Sequence, residues 1–213
     1  MTDPAGMRRS YERGELAEAT APAHWLPIFR AWFDQAVAGL SGVEANAMQV
    51  ATIDEDGNPA VRTVLLKSVD EDGVEFYTNY DSAKGTQLAA HPFAAAVLAW
   101  VPLERQVRIS GPTRRVSRAR TEEYWKTRPR GSQLGAWASP QSAVLASRAE
   151  LDARYAEAER RFGVDDIPAP EHWGGFVIEA RTVEFWQGRT DRLHDRLRYR
   201  VTPHGWAIER LAP

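Results

Sequence analysis

Apolar residues recur along this chain at two kinds of spacing, which predict two kinds of element. Between positions 24 and 40 they lie three and four residues apart, the spacing of one helix face. Elsewhere short apolar runs end at turn residues such as those of the string DEDGNP, which is typical of strands. The patterns predict helices at 24–40, 82–91, 121–128 and 147–162, and strands at 46–53, 60–69, 74–79, 93–100, 105–110, 176–186, 198–202 and 206–210.

These elements predict the fold class. Many short strands joined by turns, with helices inserted between them, favour an antiparallel α+β barrel. The sequence has no strand followed by GxGxxG and a helix, so it does not favour a Rossmann dinucleotide site.

Composition and charge narrow the class of protein. Of the 213 residues, 43% are hydrophobic and 26% are charged, which suits one domain with a core. The net charge of -2 argues against a protein that coats nucleic acid. The absence of cysteine excludes disulfides and thiolate chemistry and fits the reducing cytoplasm, where we expect this protein. No signal-peptide pattern or bilayer-spanning apolar run is present, so no membrane partner is expected.

The segment 184–200 carries the most unusual chemistry. It contains five arginines, one histidine and two aspartates beside an aromatic pair. In an extended segment residues two apart face the same way, so we expect Arg192 and His194 to share a side, with Arg196 next in line. A fixed cation beside an imidazole suits an anionic, aromatic ligand. The alternative is a solvated basic edge of a strand.

Two further segments place cations where an anion could bind. In RTVLLK, strand alternation puts Arg62 and Lys67 on opposite faces of a predicted strand. They could bracket a ligand that lies along the strand, or they could be charges that reach solvent from the ends of a core strand. In YTNYDSAKG, Asp81 or Ser82 caps a helix and Lys84 falls in or near its first turn. Free N–H groups there favour an anion, which makes Lys84 a phosphate candidate. The alternative is an exposed lysine.

The span 104–130 is basic in a chain that is net negative. Nine Lys and Arg minus three Glu give +6. Tyr124 and Arg128 share a face of a predicted helix that Pro129 ends, and Ser132 follows just beyond that end. Two hydroxyls and a guanidinium that converge there suit a phosphate monoester. The alternatives are a solvated basic face and a nucleic-acid patch, and the lack of a recognised nucleic-acid motif disfavours the second.

The segment 135–143 is predicted to be a loop of small residues, in which Gln141 and Ser142 can donate hydrogen bonds. Other site motifs are absent from the sequence: it has no HExxH, no GxSxG and no Walker loop. The five histidines lack metal-ligand spacing, so no metal is expected.

Taken in chain order, these segments resemble the pyridoxamine 5'-phosphate oxidase family, the FMN enzymes of vitamin B6 metabolism. The matching strings cover 46–213 almost continuously, and the start MRRSYERGEL more loosely. They are RTVLLK, FYTNYDSAKG, LERQVRISG, RPRGSQLGAWASPQS, HWGGF, VEFWQG, RLHDRLRY and ERLAP.

The resemblance implies a split β-barrel with peripheral helices, which forms a homodimer and binds FMN at the subunit interface. It implies a mobile lid segment, 1–20, and a single FMN-binding split-barrel domain, 21–213. The FMN contacts that it implies are Arg62, Thr63, Val64, Leu65, Lys67, Tyr77, Thr78, Lys84, Gln106, Gln141, Ser142, Trp186 and Arg196.

The resemblance also implies a substrate site and a reaction. The substrate contacts that it implies are Arg8, Tyr11, Lys67, Tyr124, Arg128, Ser132, Arg192 and His194. The reaction oxidises pyridoxamine or pyridoxine 5'-phosphate at C4' to pyridoxal 5'-phosphate, with transfer of a hydride to the flavin, oxygen as acceptor and release of hydrogen peroxide. Arg192 and His194 would be the catalytic residues. His194 could either transfer a proton or form a hydrogen bond as a neutral ring.

Three positions depart from the family's pattern. Ala83 stands where an arginine is common, which implies one flavin-phosphate contact fewer. Residues 17–19 are Ala, Glu and Ala where an Arg-rich stretch is common, and Glu44 replaces a common aspartate. Competing interpretations are a split-barrel reductase, which RPRGS together with RLHDR disfavours, and a flavin- or B6-binding module, which would bind its ligand without turnover.

Overall fold

The computed structural model describes residues 10–213. Within that range no helix is long and apolar enough to cross a membrane. The α-helices there are α1 (Leu26–Gly39), α2 (Ala83–Ala90), α3 (Arg118–Lys126), α4 (Arg130–Ala138) and α5 (Arg148–Phe162). The strands are β1 (Ala47–Ile53), β2 (Pro59–Leu65), β3 (Ser68–Val69), β4 (Gly73–Asn79), β5 (Phe93–Trp100), β6 (Arg105–Arg115), β7 (Trp173–Glu179), β8 (Thr182–Gln187), β9 (Asp195–Thr202) and β10 (Gly205–Arg210).

The strands form one antiparallel sheet that curls into a barrel and continues into a three-stranded extension. The main order is β10-β9-β8-β6-β5-β1-β2, while β7 pairs with both β6 and β4. Strand β6 belongs to both parts, because its residues 105–110 pair with β8 and its residues 113–115 pair with β7. The barrel and the extension are therefore joined through a single long strand.

Strand alternation sends one face of the sheet into the core. Met48 and Val50 of β1, Val107 of β6 and Phe185 of β8 are fully buried. Helix α1 covers this face, and the ring of Trp32 meets that of Phe185 edge-on at 5.3 Å between centroids. The opposite face of the same strands stays accessible.

Helices α3, α4 and α5 form a second, smaller core against β7. Its large buried members are Trp125 of α3, Leu134 of α4, Phe162 of α5 and Trp173 of β7. The indole N–H of Trp125 donates to the carbonyl of Ile167 at 2.6 Å, so this buried polar atom is satisfied. The cluster holds α3 and α4 beside the barrel.

The structure confirms the antiparallel α+β barrel, and most predicted elements lie within a few residues of their expected bounds. Three predicted strands are wrong in extent. The one predicted at 105–110 continues to Arg115, where it pairs with β7. The one predicted at 60–69 breaks after Leu65, where the next two backbone N–H groups bond to Asn46 and to Glu75 of β4. The one predicted at 176–186 is two strands, β7 and β8, because the chain changes partners at Ala180.

The segment after α3 also differs from the prediction. Pro129 begins a new helix, α4, so Ser132 lies inside that helix and only the later part of 135–143 is a loop. The Pro129 carbonyl accepts the N–H of Ser132 at 2.9 Å. Glycines in the segment conceal the helix in the sequence, whereas burial of Leu134 in the second core stabilises it.

The expectation that the segment around Arg192 and His194 is extended is wrong. Strands β8 and β9 are separated by the 3-10 turn Thr190–Arg192, in which Asp191 and Arg192 have φ values of 55° and 61°. Two successive residues in the left-handed region redirect the chain, so alternation does not relate Arg192 to His194.

The segment that leads into the barrel is held, from Glu12 onward, by hydrogen bonds from its backbone N–H groups to carboxylate side chains. Two N–H groups donate to Glu104 Oε2, and the N–H of Leu16 donates to Asp195 Oδ2 at 3.1 Å. The predicted contact of Arg8 lies outside the described residues. The mobility of the segment 1–20, and a domain boundary after it, stay predictions.

Candidate functional site

A cleft of about 730 Å³ opens between β2, β4 and the ends of α2, α3 and α4. The predicted contacts that line it are Thr63, Val64, Leu65, Lys67, Tyr77, Thr78, Lys84, Tyr124, Arg128, Ser132 and Gln141. None of the residues that line this cleft is an aspartate or a glutamate. The cleft therefore has a positive lining, which suits anionic ligands.

Lys84 occupies one corner of the cleft, at the N-terminus of α2. It is only 8% exposed, so the alternative of an exposed lysine is wrong. Its Nζ donates to Thr78 Oγ1 at 3.1 Å, to the capping Ser82 Oγ at 3.3 Å and to Gln141 Oε1 at 3.3 Å, all neutral acceptors. Burial, and then the charge of Arg62, lower the pKa of Lys84. A bound anion would oppose both effects, and the free N–H groups of α2 also favour one.

Arg62 lies behind this corner, on the core face of β2 opposite Val50. Lys67 lies beyond the end of β2 at Leu65, so alternation does not relate the two side chains. Its Nη1 donates to Val50 O at 3.1 Å and to Thr52 Oγ1 at 2.5 Å, and its Nη2 donates to Gln87 Oε1 at 3.0 Å. Burial lowers the pKa of Arg62. Across residues 10–213, no carboxylate forms an ion pair with Arg62 or Lys84.

Stacked aromatic rings form one wall of the cleft. Tyr77 of β4 and Tyr124 of α3 stack with centroids 4.1 Å apart, and Trp173 stacks on Tyr77 at 5.3 Å. Burial, and then the neighbouring Glu75 carboxylate, raise the pKa of Tyr77, so its hydroxyl stays protonated. Lys67 Nζ lies 5.9 Å from the Tyr124 ring centroid.

Arg128 marks a second anion-binding corner beside these rings. Its guanidinium lies 4.5 Å from the Trp173 ring and 5.0 Å from the Trp125 ring, and burial lowers its pKa. Its Nη1 is buried and has no hydrogen-bond partner among the described residues. A buried cationic donor without an acceptor is costly, and an anionic oxygen of a ligand would satisfy it. Ser132, in the first turn of α4, lines the same corner.

A different set of predicted contacts lies on the accessible face of the sheet. Gln106 of β6 is opposite Trp186 of β8, and Trp186 is opposite Arg196 of β9. Residues opposite one another in an antiparallel sheet share a face, so the three side chains form one row. Strands β1 and β5 lie between β2 and β6, so the row begins at Gln106 about 14 Å from β2 along the sheet. It continues away from the cleft to Trp186 and Arg196 on β8 and β9.

His194 and Tyr11 join this row at Trp186. The His194 ring lies 4.6 Å from that of Trp186, and the Tyr11 ring lies 6.0 Å from Trp186 and 5.9 Å from His194. The N–H of Arg189 donates to His194 Nδ1 at 3.1 Å. Burial, and then the charge of Arg192, lower the pKa of His194. Arg192 itself is exposed on its turn.

The predicted site residues thus fall into two groups within one chain: those of the cleft, and the row with His194, Tyr11 and Arg192. Ser142 belongs to neither, because it lines an adjoining pocket of about 520 Å³ together with Ala83 and has φ 73°. Gln141 lines both that pocket and the cleft.

Several residues of the site escape reasoning from the sequence. Asn79 and Trp173 line the cleft, although only the strings YTNYDSAKG and HWGGF mark their surroundings. Glu75 and Glu184 are buried carboxylates, 4% and 7% exposed, on strands that carry predicted contacts. In the sequence, Glu75 stands two positions before Tyr77, and Glu184 stands two positions before Trp186. Strand alternation puts each glutamate on the same face as that aromatic residue, and this spacing could have indicated both glutamates.

The arrangement fits an anionic flavin together with a phosphorylated substrate. One corner offers Lys84 and a helix N-terminus, with the charge of Arg62 behind it, and the other offers Lys67, Arg128 and hydroxyls. The aromatic rings of Tyr77, Tyr124 and Trp173 line the same cleft. No group of three or more metal-ligating side chains is present in the part of the chain that the structure describes.

Two family models match the chain. The model described as pyridoxamine 5'-phosphate oxidase covers residues 34–162, and the one described as the pyridoxine 5'-phosphate oxidase C-terminal dimerisation region covers residues 173–213.

Curated relatives match nearly the whole chain. A pyridoxine/pyridoxamine 5'-phosphate oxidase of Pseudomonas paraeruginosa is 54% identical over 98% of both chains. The protein of that name from Streptomyces avermitilis is 52% identical over 99% of this chain and 96% of its own.

Solved structures share the fold. PhzG from Burkholderia lata, in complex with tetrahydrophenazine-1-carboxylic acid, superposes with a TM-score of 0.85 at 31% identity, over 92% of this chain and 95% of its own. A pyridoxamine 5'-phosphate oxidase-related, FMN-binding protein from Nostoc punctiforme gives 0.71 at 19% identity, over 92% and 99%.

Proposed function

This chain belongs to the pyridoxamine 5'-phosphate oxidase family, and we propose that it uses FMN and oxygen to oxidise pyridoxamine and pyridoxine 5'-phosphate to pyridoxal 5'-phosphate, releasing hydrogen peroxide. The observation that carries the proposal is a cleft with two cationic corners, an aromatic wall and no acidic lining residue. Two phosphorylated ring molecules side by side are what such a cleft suits.

The corner at α2 is proposed to hold the FMN phosphate. Lys84 and Arg62 are cations without a carboxylate partner, and the helix N-terminus adds free N–H donors. Thr78 and Gln141, which now accept from Lys84 Nζ, surround the same corner. Bound FMN would supply the hydride acceptor for oxidation at C4', with oxygen as the final acceptor of the electrons.

The corner at Arg128 is proposed to hold the substrate phosphate. Its buried Nη1 needs an acceptor, and Lys67, Tyr124 and Ser132 can add further donors. Several groups on one phosphate fix the orientation of the substrate ring, and hydride transfer needs that precision.

A homodimer would bring the row to the cleft. Within one chain, Gln106, Trp186 and Arg196 lie several strands away from the cleft. We therefore propose that each flavin is contacted by the cleft of one copy and by these three residues of the second copy. The match of residues 173–213 to a dimerisation region, which includes β8 and β9, supports this arrangement.

The accessible sheet face offers the surface for that second copy. Val61 is 66% exposed and Phe93 is 55% exposed, and the small or apolar Ala51, Ala95 and Val97 lie on the same face of β1 and β5. An exposed apolar sheet face of this kind marks a protein–protein interface.

Arg192 and His194 are proposed to act on the substrate ring. Arg192 carries a fixed charge on an exposed turn, where it can stabilise negative charge that develops on a ligand. His194 presents Nε2, because its Nδ1 already accepts a backbone N–H. Tyr11 packs on His194 and Trp186, which suits a residue that covers this part of the site.

The function is tested with purified protein supplied with FMN and pyridoxamine 5'-phosphate in air. We expect pyridoxal 5'-phosphate and hydrogen peroxide to form together in equal amounts. Bound flavin without turnover would instead support a flavin- or B6-binding module.

The FMN corner is tested with Lys84→Ala and its matched control Lys126→Ala, an exposed lysine on α3. We expect Lys84→Ala to weaken FMN binding roughly 10- to 100-fold, because it removes a charge-assisted contact to phosphate. Lys126→Ala should bind FMN as the unchanged protein does. Equal FMN affinity in both variants would refute the role of Lys84.

A further inference from the structure

Glu184 is a buried carboxylate that touches a predicted flavin contact. It lies on β8, two residues before Trp186 and on the same face, and is 7% exposed. Its Oε1 accepts from Arg196 Nε at 2.8 Å, and its Oε2 accepts from Arg108 Nη1 at 3.3 Å. A buried charge is costly unless it is paired, so this carboxylate is held between its two arginines.

The segment Leu211–Pro213, which follows β10 and belongs to the string ERLAP, holds Arg196 from another side. The N–H of Leu211 donates to the Arg196 carbonyl at 3.0 Å. Arg196 Nη1 donates to the carbonyl of Ala212 at 2.8 Å. The guanidinium is thereby fixed through Nε and Nη1, and no acceptor among residues 10–213 engages Nη2.

We propose that Glu184 and the segment Leu211–Pro213 are positioning elements, which lock the Arg196 guanidinium so that Nη2 faces the flavin. This rests on the proposed function, in which Arg196 contacts FMN. A free arginine side chain loses much rotamer freedom when it binds, and a guanidinium that is already fixed avoids that loss. The two anchors also define the plane of the fork, which sets the direction of its remaining donors.

The carboxylate anchor is tested with Glu184→Ala and Glu184→Gln. The alanine variant removes the acceptor, so we expect FMN affinity to fall roughly 10-fold, with a changed visible circular dichroism of the bound flavin. The glutamine variant keeps an acceptor oxygen for Nε–H and should recover part of the affinity, which a purely structural role for the charge would not produce. It also carries the test if the alanine variant does not fold.

Glu209→Ala is the matched control. Glu209 on β10 also accepts from two arginines, Arg198 and Arg200, but it does not touch Arg196. We expect its FMN affinity and flavin dichroism to stay unchanged. A loss as large as that of Glu184→Ala would mean that any broken ion pair on this face has the same effect, and it would overturn the proposal.

The backbone anchor is tested with a chain that stops after Arg210. It lacks the Ala212 carbonyl, so it should weaken FMN binding as Glu184→Ala does and leave the KM for pyridoxamine 5'-phosphate at saturating FMN unchanged. Unchanged FMN affinity in this chain and in both Glu184 variants overturns the inference.

Arg196→Ala separates this inference from the function beneath it. If Arg196→Ala binds FMN normally, Arg196 is not a flavin contact, and the inference falls together with that assignment. If Arg196→Ala weakens FMN binding, but the two Glu184 variants and the chain that stops after Arg210 do not, only the positioning role is wrong.

Discussion

The proton of His194 is placed by a backbone group. Because Arg189 N–H donates to Nδ1, that nitrogen carries a lone pair, and the proton of the neutral ring lies on Nε2. A proton on Nδ1 would point at the N–H of Arg189, and the two donors would repel one another. Burial, and then the charge of Arg192, also lower the pKa of the ring. The geometry therefore favours His194 as a neutral hydrogen-bond donor over a general base.

We expect His194→Gln to keep more activity than His194→Ala, because a glutamine amide can donate from about the position of Nε2 but cannot accept a proton. Steady-state kinetics at saturating FMN measure the difference. A glutamine variant as inactive as the alanine variant contradicts the donor role.

The pH dependence follows from the same contact. Burial, and then the charge of Arg192, lower the pKa of His194 from the ordinary histidine value of about 6.5, so the neutral ring persists to lower pH than in a free histidine. We expect kcat/KM to fall only below pH 6.5 and the fall to vanish in His194→Gln, as profiles from about pH 5 to 8 would show. If kcat/KM of the wild-type protein instead falls with a midpoint above pH 6.5, and this fall disappears in His194→Gln, His194 transfers a proton.

Much of the cleft could be predicted one residue at a time. Lys84, Tyr124 and Arg128 were marked by their helix positions, and the structure brings all three to the cleft. Arg192 could not be placed in the same way, because a turn with two positive φ values has no signal in alternation. Glu184 was missed because its position two residues before Trp186 indicates the face that it shares with Trp186, but not that the carboxylate is buried.

Strand β6 connects the two parts of the sheet, and Gly111 stands where its partner changes from β8 to β7. A Cβ at Gly111 would lie 1.7 Å from the carbonyl oxygen of Glu179. The backbones of β6 and β7 approach so closely there that only glycine fits.

Gly111→Ala is expected to lower the free energy of unfolding by at least about 2 kcal/mol, because β6 and β7 must separate to admit the methyl group. Denaturant unfolding measures the change. In Gly39→Ala the new Cβ would meet only Leu103 Cδ2 at 3.6 Å, so this control should be neutral or gain up to about 1 kcal/mol. Similar unfolding energies for the two variants would refute the close approach.

The elements that the sequence predicted well are those whose pattern is set locally. Helix α1 and strand β5 follow their apolar pattern within two residues of the expected bounds. The break between β7 and β8, and the helix α4, depend on partners distant in the chain, namely β4, β6 and α5. Local pattern cannot report those partners, so tertiary contacts decided both cases.

The assembled protein, rather than one chain, is proposed to contain the complete site. The sequence, together with the family resemblance, predicts a set of site residues. It does not predict that a single chain places these residues in two groups, at the cleft and at the row, on one sheet. That division follows from the strand order, which the sequence alone does not specify.

The shared site can be tested by mixing two variants that are expected to bind FMN weakly, Lys84→Ala and Arg196→Ala, at an FMN concentration too low to saturate either variant alone. If Lys84 and Arg196 come from different copies, a heterodimer keeps one intact site, and random pairing restores roughly a quarter of the wild-type sites. Activity of the coexpressed chains, relative to each variant alone, measures this. No recovery, in heterodimers isolated with two different tags, would place both residues in one copy.

Because no acidic side chain lines the cleft, small anions from the buffer should bind there when FMN is not present. Lys84 and Arg62 repel one another there, and Arg128 keeps a buried donor without an acceptor. Any small tetrahedral oxyanion that occupies a corner stabilises the folded form by mass action. Sulfate or phosphate in a buffer should therefore raise the melting temperature of the flavin-free protein and compete with the cofactor, so an affinity measured in such a buffer understates the intrinsic one.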